Sequence, residues 1–127
     1  MTENLISIVD DDEPVRRTTT LLVESFGFRA ATFDSAETFL RSGDLHDTSC
    51  LIVDVQMPGM DGLQLQSHLA AAGCGIPIIF ITAYESSDAR RRAMQAGASA
   101  FLSKPFSDEQ LLQTIRSALQ RFRREDC

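Results

Sequence analysis

The sequence contains no tryptophan, one tyrosine and three cysteines among its 127 residues. Cys50, Cys74 and Cys127 are irregularly spaced and include no C-x-x-C pair. Because a disulfide framework or a zinc site needs a more regular set, we expect three reduced thiols in a cytoplasmic protein. The chain also lacks the pattern of a signal peptide and any apolar run of the roughly 18 residues that a membrane helix needs. We therefore expect no membrane partner.

Positive charge is scarce, since 12 basic residues face 18 acidic ones and the net charge is -6. An acidic chain repels nucleic-acid phosphates unless its basic residues are concentrated. The one basic cluster lies near the end and is diluted by Glu125 and Asp126; it comprises Arg116, Arg121, Arg123 and Arg124. We expect no direct contact with nucleic acid. The length predicts one domain over residues 1–127.

Short apolar runs alternate five times with amphipathic stretches. Three of the runs are rich in β-branched residues and apolar on both faces: LISIV, LIVDV and PIIFI. This pattern is typical of parallel strands that are buried between helices. This alternation predicts an α/β fold, a (βα)5 chain whose five-stranded parallel sheet is doubly wound and flavodoxin-like, with helices on both faces. The predicted strands are Leu5–Val9, Arg29–Phe33, Cys50–Asp54, Pro77–Ile81 and Ala100–Ser103.

Local signals predict where several helices begin and end. Pro14 suits a first helical turn, because its missing N–H would have no partner there. Asp34-x-x-Glu37 and Ser107-x-x-Gln110 have the spacing of capping boxes, and Gly97 is predicted to end the fourth helix. The polar residues 42–49 are predicted to form a loop.

Acidic and other polar residues follow four of the predicted strands. In a parallel sheet the carboxyl ends of the strands meet at one edge, where ligands gather. Several carboxylates at that edge would repel one another at neutral pH, and a hard divalent cation such as Mg²⁺ resolves the repulsion. The residues are Asp10, Asp11, Asp12 and Glu13 after the first strand, Asp54 at the third, Thr82 at the fourth and Lys104 at the fifth.

An Mg²⁺ site beside a carboxylate suits phosphoryl transfer. The cation screens the repulsion between an anionic nucleophile and an anionic donor. Asp54 would be the nucleophile and would become an acyl phosphate. Lys104 and the Thr82 hydroxyl would each pair with a phosphoryl oxygen.

Each of these residues also has a purely structural interpretation. Asp12 or Glu13 would serve as an N-cap for the helix near Pro14. Asp54 would start a turn, Thr82 would bond local backbone, and Lys104 would be a solvated lysine. The co-occurrence of the four positions favours the functional interpretation.

Four segments carry a family resemblance: IVDDDEPVR, LIVDVQMPGMDGL, IIFITAY and GASAFLSKPF. In order and spacing, the whole chain resembles the receiver domain of two-component response regulators, and especially the receivers of rhizobial nitrogen-fixation and nodulation regulators. The resemblance implies a signalling module that catalyses its own phosphorylation and dephosphorylation and is not a conventional enzyme. It implies a sensor histidine kinase or a phosphotransfer protein as the phosphoryl donor.

The resemblance also assigns roles around the acceptor. Asp54 matches the phosphorylated residue. Asp11 matches a direct ligand of Mg²⁺, Asp10 a ligand that acts through water, and Gln56 the residue whose backbone carbonyl completes the protein ligands. Lys104 matches the family lysine, with a cis bond to Pro105 that proline makes inexpensive.

Further matches concern the switch and the lifetime of the acyl phosphate. Thr82 matches the switch hydroxyl and Phe101 the switch aromatic, whose inward rotation would change the surface of the fourth helix, fifth strand and fifth helix. A buried Phe101 is also what an ordinary core aromatic would be. Gln56 and Tyr84 match the positions that tune how fast the acyl phosphate hydrolyses.

The resemblance leaves the output open. Its relatives carry a helix-turn-helix DNA-binding domain after the receiver, and phosphorylation often promotes a homodimer. Two alternatives differ in class: a phosphatase of the haloacid-dehalogenase type, which wants D-x-D at the first strand and a cap domain, and a pseudo-receiver that acts only as an interaction module. Against the first, the acceptor-like Asp54 lies on the third predicted strand, and 127 residues leave no room for a cap. The second usually lacks the acceptor, the acidic pair or the lysine, all of which this chain retains.

Overall fold

Five strands alternate with five helices in a computed structural model, which describes residues 4–83 and 86–120. The strands are β1 (Leu5–Val9), β2 (Arg29–Phe33), β3 (Thr48–Asp54), β4 (Ile78–Thr82) and β5 (Ala100–Ser103). The helices are α1 (Glu13–Ser25), α2 (Ala36–Arg41), α3 (Gly62–Ala71), α4 (Ser87–Gln95) and α5 (Asp108–Gln120), with a 3₁₀ turn at Gly43–Leu45. No helix within these ranges is long and apolar enough to cross a membrane.

All strand pairs are parallel, and the strand order is β2-β1-β3-β4-β5. The predicted fold class is therefore confirmed. Three strands have the predicted bounds, whereas β3 begins earlier, at Thr48, and β4 is displaced to Ile78–Thr82. The prediction of a loop over 42–49 is wrong at both ends, because Gly43–Leu45 form the 3₁₀ turn and β3 begins at Thr48. Thr48 is buried and its hydroxyl lies 2.7 Å from the Ser7 hydroxyl, so pairing with β1 satisfies its polar groups inside the sheet.

The sheet separates two apolar clusters. Alternate residues of β3 face opposite sides, so that Leu51 and Val53 contribute to one cluster and Cys50 and Ile52 to the other. The first cluster includes side chains of α2, α3 and α4, and the second includes side chains of α1 and α5. Burial on both faces explains why the central strands read as continuous apolar runs.

Two helix starts and one helix end follow the local sequence signals. The Asp12 side chain accepts a hydrogen bond from Val15 N at 3.2 Å and caps α1. At α5, the Gln110 side chain accepts from Ser107 N at 2.8 Å and the Ser107 hydroxyl from Gln110 N at 3.0 Å, which confirms that capping box. Gly97 follows α4 with a φ of +101°, a conformation that favours glycine.

The capping box predicted at Asp34 and Glu37 is wrong. The N-cap of α2 is Ser35, whose hydroxyl accepts from Thr38 N at 3.1 Å. Glu37 instead accepts a hydrogen bond from Met60 N at 3.2 Å. A tertiary contact with the segment after β3 thus replaces the local reciprocal bond.

The cysteines differ from expectation. Cys50 is a fully buried free thiol, and burial raises its pKa to about 12. Cys74 is disulfide-bonded, so the prediction of three reduced thiols is wrong at that position. Distance between Cα atoms, rather than spacing along the chain, decides which thiols can pair. Cys127 and the arginines at 121, 123 and 124 lie outside the described residues.

Candidate functional site

Two carboxylates lie side by side at the carboxyl ends of the neighbouring strands β1 and β3. Val9 and Val53 are paired in the register of β1 and β3, so the residues that follow them, Asp10 and Asp54, are neighbours across the sheet. By strand alternation both side chains lie on the side of the sheet covered by α1 and α5. Lys104 follows β5 with the same alternation. The sequence prediction that these residues converge is consistent with this register.

Asp10 is 1 % exposed. Its Oδ1 accepts a hydrogen bond from Asp12 N at 2.9 Å, whereas its Oδ2 is buried and has no hydrogen-bond partner among the described residues. Burial raises the pKa of Asp10, and repulsion from Asp54 and Asp11 raises it further, while the Asp12 N–H and the Lys104 ammonium lower it. Asp10 is therefore a carboxyl group with one oxygen left to be satisfied.

Asp54 is partly buried at the end of β3, and its Oδ1 accepts from Gln56 N at 3.0 Å. Burial is again the main cause of its raised pKa, with a contribution from Asp11, against the lowering effect of the Gln56 N–H and of Lys104. The Asp11 side chain is exposed. The cluster is thus open to solvent on the Asp11 side.

Lys104 is partly buried and is the cation whose charge lowers the pKa of both Asp10 and Asp54. Its backbone N–H donates to the Thr82 carbonyl oxygen at 2.8 Å, which ties the end of β5 to the end of β4. The peptide bond between Lys104 and Pro105 is cis.

Phe101 packs on the face of the sheet covered by α2, α3 and α4, whereas Thr82 ends β4 at the same edge as the carboxylates. Thr82 is 1 % exposed and continues the alternation of Phe80, and it is paired in register with Ser103. The Phe101 ring is 4 % exposed, and its centroid lies 6.0 Å from that of Phe80. The ring is therefore already inward in this structure, with Thr82 at the strand end above it.

The segment between β3 and α3 is fixed by residues that sequence reasoning missed. Gly62 N donates to the Val55 carbonyl oxygen at 3.0 Å, and a Cβ at Gly62 would lie 2.4 Å from the carbonyl oxygen of Asp54. Glu37 fixes the same segment near the start of α3, because its side chain accepts from Met60 N. The glycine within MPGMDGL was a visible signal, but nothing local to Glu37 indicated this contact.

Arg16 is a third residue that the sequence did not indicate, and it fixes the backbone at Asp10. The Arg16 guanidinium donates to the carbonyl oxygen of Asp10 at 2.8 Å. This bond fixes the backbone where the chain leaves β1 and turns into α1. Of the remaining predicted residues, the Gln56 side chain is exposed, and Tyr84 lies outside the described residues.

The donors present fit a hard divalent cation with an incomplete protein shell. Within residues 4–83 and 86–120, no three His, Cys, Asp or Glu side chains are grouped closely enough to hold an ion by themselves. Two carboxylates, a backbone carbonyl and water molecules form the kind of shell that Mg²⁺ accepts. The unsatisfied Asp10 Oδ2 and the mutual repulsion of Asp10, Asp11 and Asp54 are the features that such a cation would relieve.

Comparison with known proteins identifies the family. A family profile described as the response regulator receiver domain matches residues 6–116. The chain belongs to the response regulator receiver domain family. The resemblance drawn from the four sequence segments is confirmed.

This receiver is similar to several regulators. It is 42% identical over 123 residues to nodulation protein W of Bradyrhizobium diazoefficiens, covering 97% of this chain and 54% of that protein. It is 45% identical over 118 residues to response regulator protein TmoT of Ectopseudomonas mendocina, covering 93% of this chain and 54% of the relative. The crystal structure of FixJ-N matches with a TM-score of 0.86 at 34% identity, over 95% of this chain and 97% of that one. The receiver thus spans about half the length of these curated relatives.

Proposed function

We propose that this receiver accepts a phosphoryl group on Asp54 in an Mg²⁺-dependent reaction and thereby switches the surface formed by α4, β5 and α5. The observation that carries the proposal is the buried carboxylate of Asp10, which lies beside Asp54 and within the electrostatic influence of Lys104. One of its oxygens has no hydrogen-bond partner in the described part of the chain. A purely structural cluster would satisfy that oxygen, because an unsatisfied buried polar atom costs about 1–3 kcal/mol.

The Mg²⁺ ligands follow from the donors available. Asp11, Asp54 and the backbone carbonyl of Gln56 would bind the ion directly, and Asp10 would bind through water. The bound ion would supply charge neutralisation between the incoming phosphoryl group and the carboxylates. Asp12 N and Gln56 N hold Asp10 and Asp54 in their orientations through bonds of 2.9 Å and 3.0 Å, so the ligand atoms are set before the ion arrives.

In the chemical step an Asp54 carboxylate oxygen attacks the phosphorus of the donor. A new O–P bond forms as the bond between phosphorus and the donor's histidine nitrogen breaks, and the electron pair leaves with that nitrogen. The Lys104 ammonium pairs with one phosphoryl oxygen. The Thr82 hydroxyl donates to another, and both contacts strengthen as charge gathers on those oxygens.

The switch would run from Thr82 to Phe101. When the Thr82 hydroxyl turns toward the phosphoryl group, the space beside Phe80 and Phe101 changes, and the Phe101 ring settles in its inner position. The two conformations must differ by only a few kcal/mol for one modification to shift their populations. Gln56 and Tyr84 flank the acceptor and would set the lifetime of the acyl phosphate.

The partners of the proposed reaction are a sensor histidine kinase or a phosphotransfer protein as donor, in the cytoplasm. Since the relatives are about twice as long, we propose that the receiver controls a DNA-binding output domain. We also propose that phosphorylation promotes a homodimer. We further propose that residues 1–127 form one receiver domain. The acidic charge of this domain disfavours direct contact with nucleic acid.

The test is the intact mass of the purified protein after incubation with acetyl phosphate and Mg²⁺. We expect one added phosphoryl group, which is lost with EDTA and in Asp54→Asn. Asp47→Asn is the matched control, because Asp47 is an exposed carboxylate at the amino-terminal end of β3.

A short-lived acyl phosphate would escape detection by mass. Beryllofluoride binding in the presence of Mg²⁺ is therefore measured on the same samples. If neither ligand engages the wild-type protein, phosphorylation is refuted and the interaction-module alternative takes its place.

A further inference from the structure

Arg90, on α4, contacts Phe101 in two different ways. Its guanidinium Nη2 donates a hydrogen bond to the Phe101 carbonyl oxygen at 2.9 Å. Its Cζ atom also lies 5.5 Å from the centroid of the Phe101 ring. One side chain therefore binds both the backbone and the aromatic face of the same residue.

The neighbouring arginine behaves differently. Arg91 forms an ion pair with Asp88 on its own helix, and both side chains are well exposed, at 62% and 61%. Such an exposed pair between helix positions three residues apart contributes little to stability. Arg91 thus has the same charge and the same helix as Arg90, but its described partner is local.

The double contact restricts Phe101. A planar guanidinium can stack on an aromatic ring and donate to a carbonyl in the same geometry, which a lysine ammonium reproduces only in part. An outward rotation of the ring would separate it from both Phe80 and the guanidinium. The bond to the Phe101 carbonyl also ties β5 to α4, so that the two elements are joined at the ring.

We propose that Arg90 is a positioning residue, which holds Phe101 in its inner position before any phosphorylation occurs and so sets the resting balance of the switch. The consequence for activation rests on the proposed function, whereas the hold on Phe101 does not. Any residue that stabilises the inner conformation increases the affinity for every ligand that prefers that conformation. Loss of Arg90 should therefore weaken binding at Asp54, on the opposite face of the sheet.

The first experiment uses the unphosphorylated protein. The phenylalanines, eight in the sequence, are replaced with 4-fluorophenylalanine, and the Phe101 signal in the ¹⁹F spectrum is assigned by its loss in Phe101→Leu. In Arg90→Ala we expect this signal to move and its shift between H₂O and D₂O to grow, because the ring becomes accessible to water. Arg91→Ala should leave it unchanged, and Arg90→Lys should restore part of the wild-type signal. An unchanged Phe101 signal in Arg90→Ala overturns the proposal.

The second experiment measures beryllofluoride affinity with Mg²⁺ in a double-mutant cycle. Arg90→Ala should weaken binding about fivefold, in keeping with the loss of an exposed cation–π contact, and should have no further effect in a Phe101→Leu background. An equal loss in both backgrounds means that Arg90 does not act through Phe101, which refutes the coupling. If the wild-type protein binds no beryllofluoride, the proposed function fails, and the ¹⁹F result alone decides the role of Arg90.

Discussion

Gly62→Ala is expected to disturb the candidate site through the backbone of Asp54. Gly62 is the first residue of α3 and is buried. A Cβ atom there would lie 2.4 Å from the Asp54 carbonyl oxygen, 3.0 Å from the Phe80 ring and 3.1 Å from the Val55 Cα. Two of these neighbours are backbone atoms, so the strain cannot be relieved by turning a side chain.

The magnitude follows from two opposing effects. Alanine in place of a helical glycine gains at most about 1 kcal/mol in a helix interior and less at the first position. Overpacking against atoms that cannot move costs about 1–3 kcal/mol. We expect a net loss of about 2 kcal/mol, which for a domain of this size lowers Tm by roughly 6–10 °C.

The assay is thermal unfolding followed by circular dichroism, combined with the rate of phosphorylation by acetyl phosphate. Gly43→Ala is the control, because a Cβ at Gly43 would meet no atom of residues 4–83 and 86–120 within 4 Å. That variant should unfold at or slightly above the wild-type temperature and be phosphorylated at the same rate. A Gly62→Ala protein with both wild-type Tm and wild-type rate would refute the packing argument.

Two further predictions concern the surroundings of Asp54. Glu37→Ala should lower the free energy of unfolding by about 1 kcal/mol and slow phosphorylation, because Met60 N loses its acceptor. Glu37→Gln keeps a carbonyl acceptor and should retain most of the stability and most of the phosphorylation rate. Equal behaviour of the two variants would contradict this role. The pKa values of Asp10 and Asp54 are raised above the ordinary value of 3.8, so in EDTA the stability they contribute is present below that pH and is lost as the pH rises through their folded-state pKa values. Denaturant unfolding should show that Asp54→Asn reduces this loss, and that stabilisation by Mg²⁺ grows over the same pH range; a pH-independent effect of Mg²⁺ would count against a site made of these carboxylates.

The fold was predictable where local pattern and burial agree. The centres of β3 and β4, Cys50–Val53 and Ile78–Ile81, are continuous apolar runs because both faces of the sheet are covered, so sequence alone located these strands to within two residues. The same local reasoning failed at Glu37. Its spacing from Asp34 matches a capping box, but its partner is a backbone N–H 23 residues further along the chain. Nothing in a four-residue window can encode such a distant donor.

The meeting of Asp10, Asp54 and Lys104 at one edge of the sheet was predictable, whereas the conformation of the neighbouring side chains was not. Asp10 and Lys104 follow predicted strands and Asp54 ends one, and the topology of a parallel sheet brings strand ends to one edge. The inward position of the Phe101 ring depends on packing against Phe80, which no spacing rule contains. Arg90 was equally hidden, because an arginine within a run of three on an amphipathic helix normally indicates a solvated surface.

The buried thiol of Cys50 can be used to measure how often the domain opens. Its thiol is fully buried in the central strand, four residues before Asp54, with a pKa of about 12. At neutral pH almost none of it is thiolate, the form that alkylating reagents attack, and no reagent reaches it in the folded state. Modification of Cys50 therefore requires α1 or α5, which cover this face of the sheet, to separate from β3, or the whole domain to unfold. Its rate reports how often the apolar cluster between the sheet and these two helices opens.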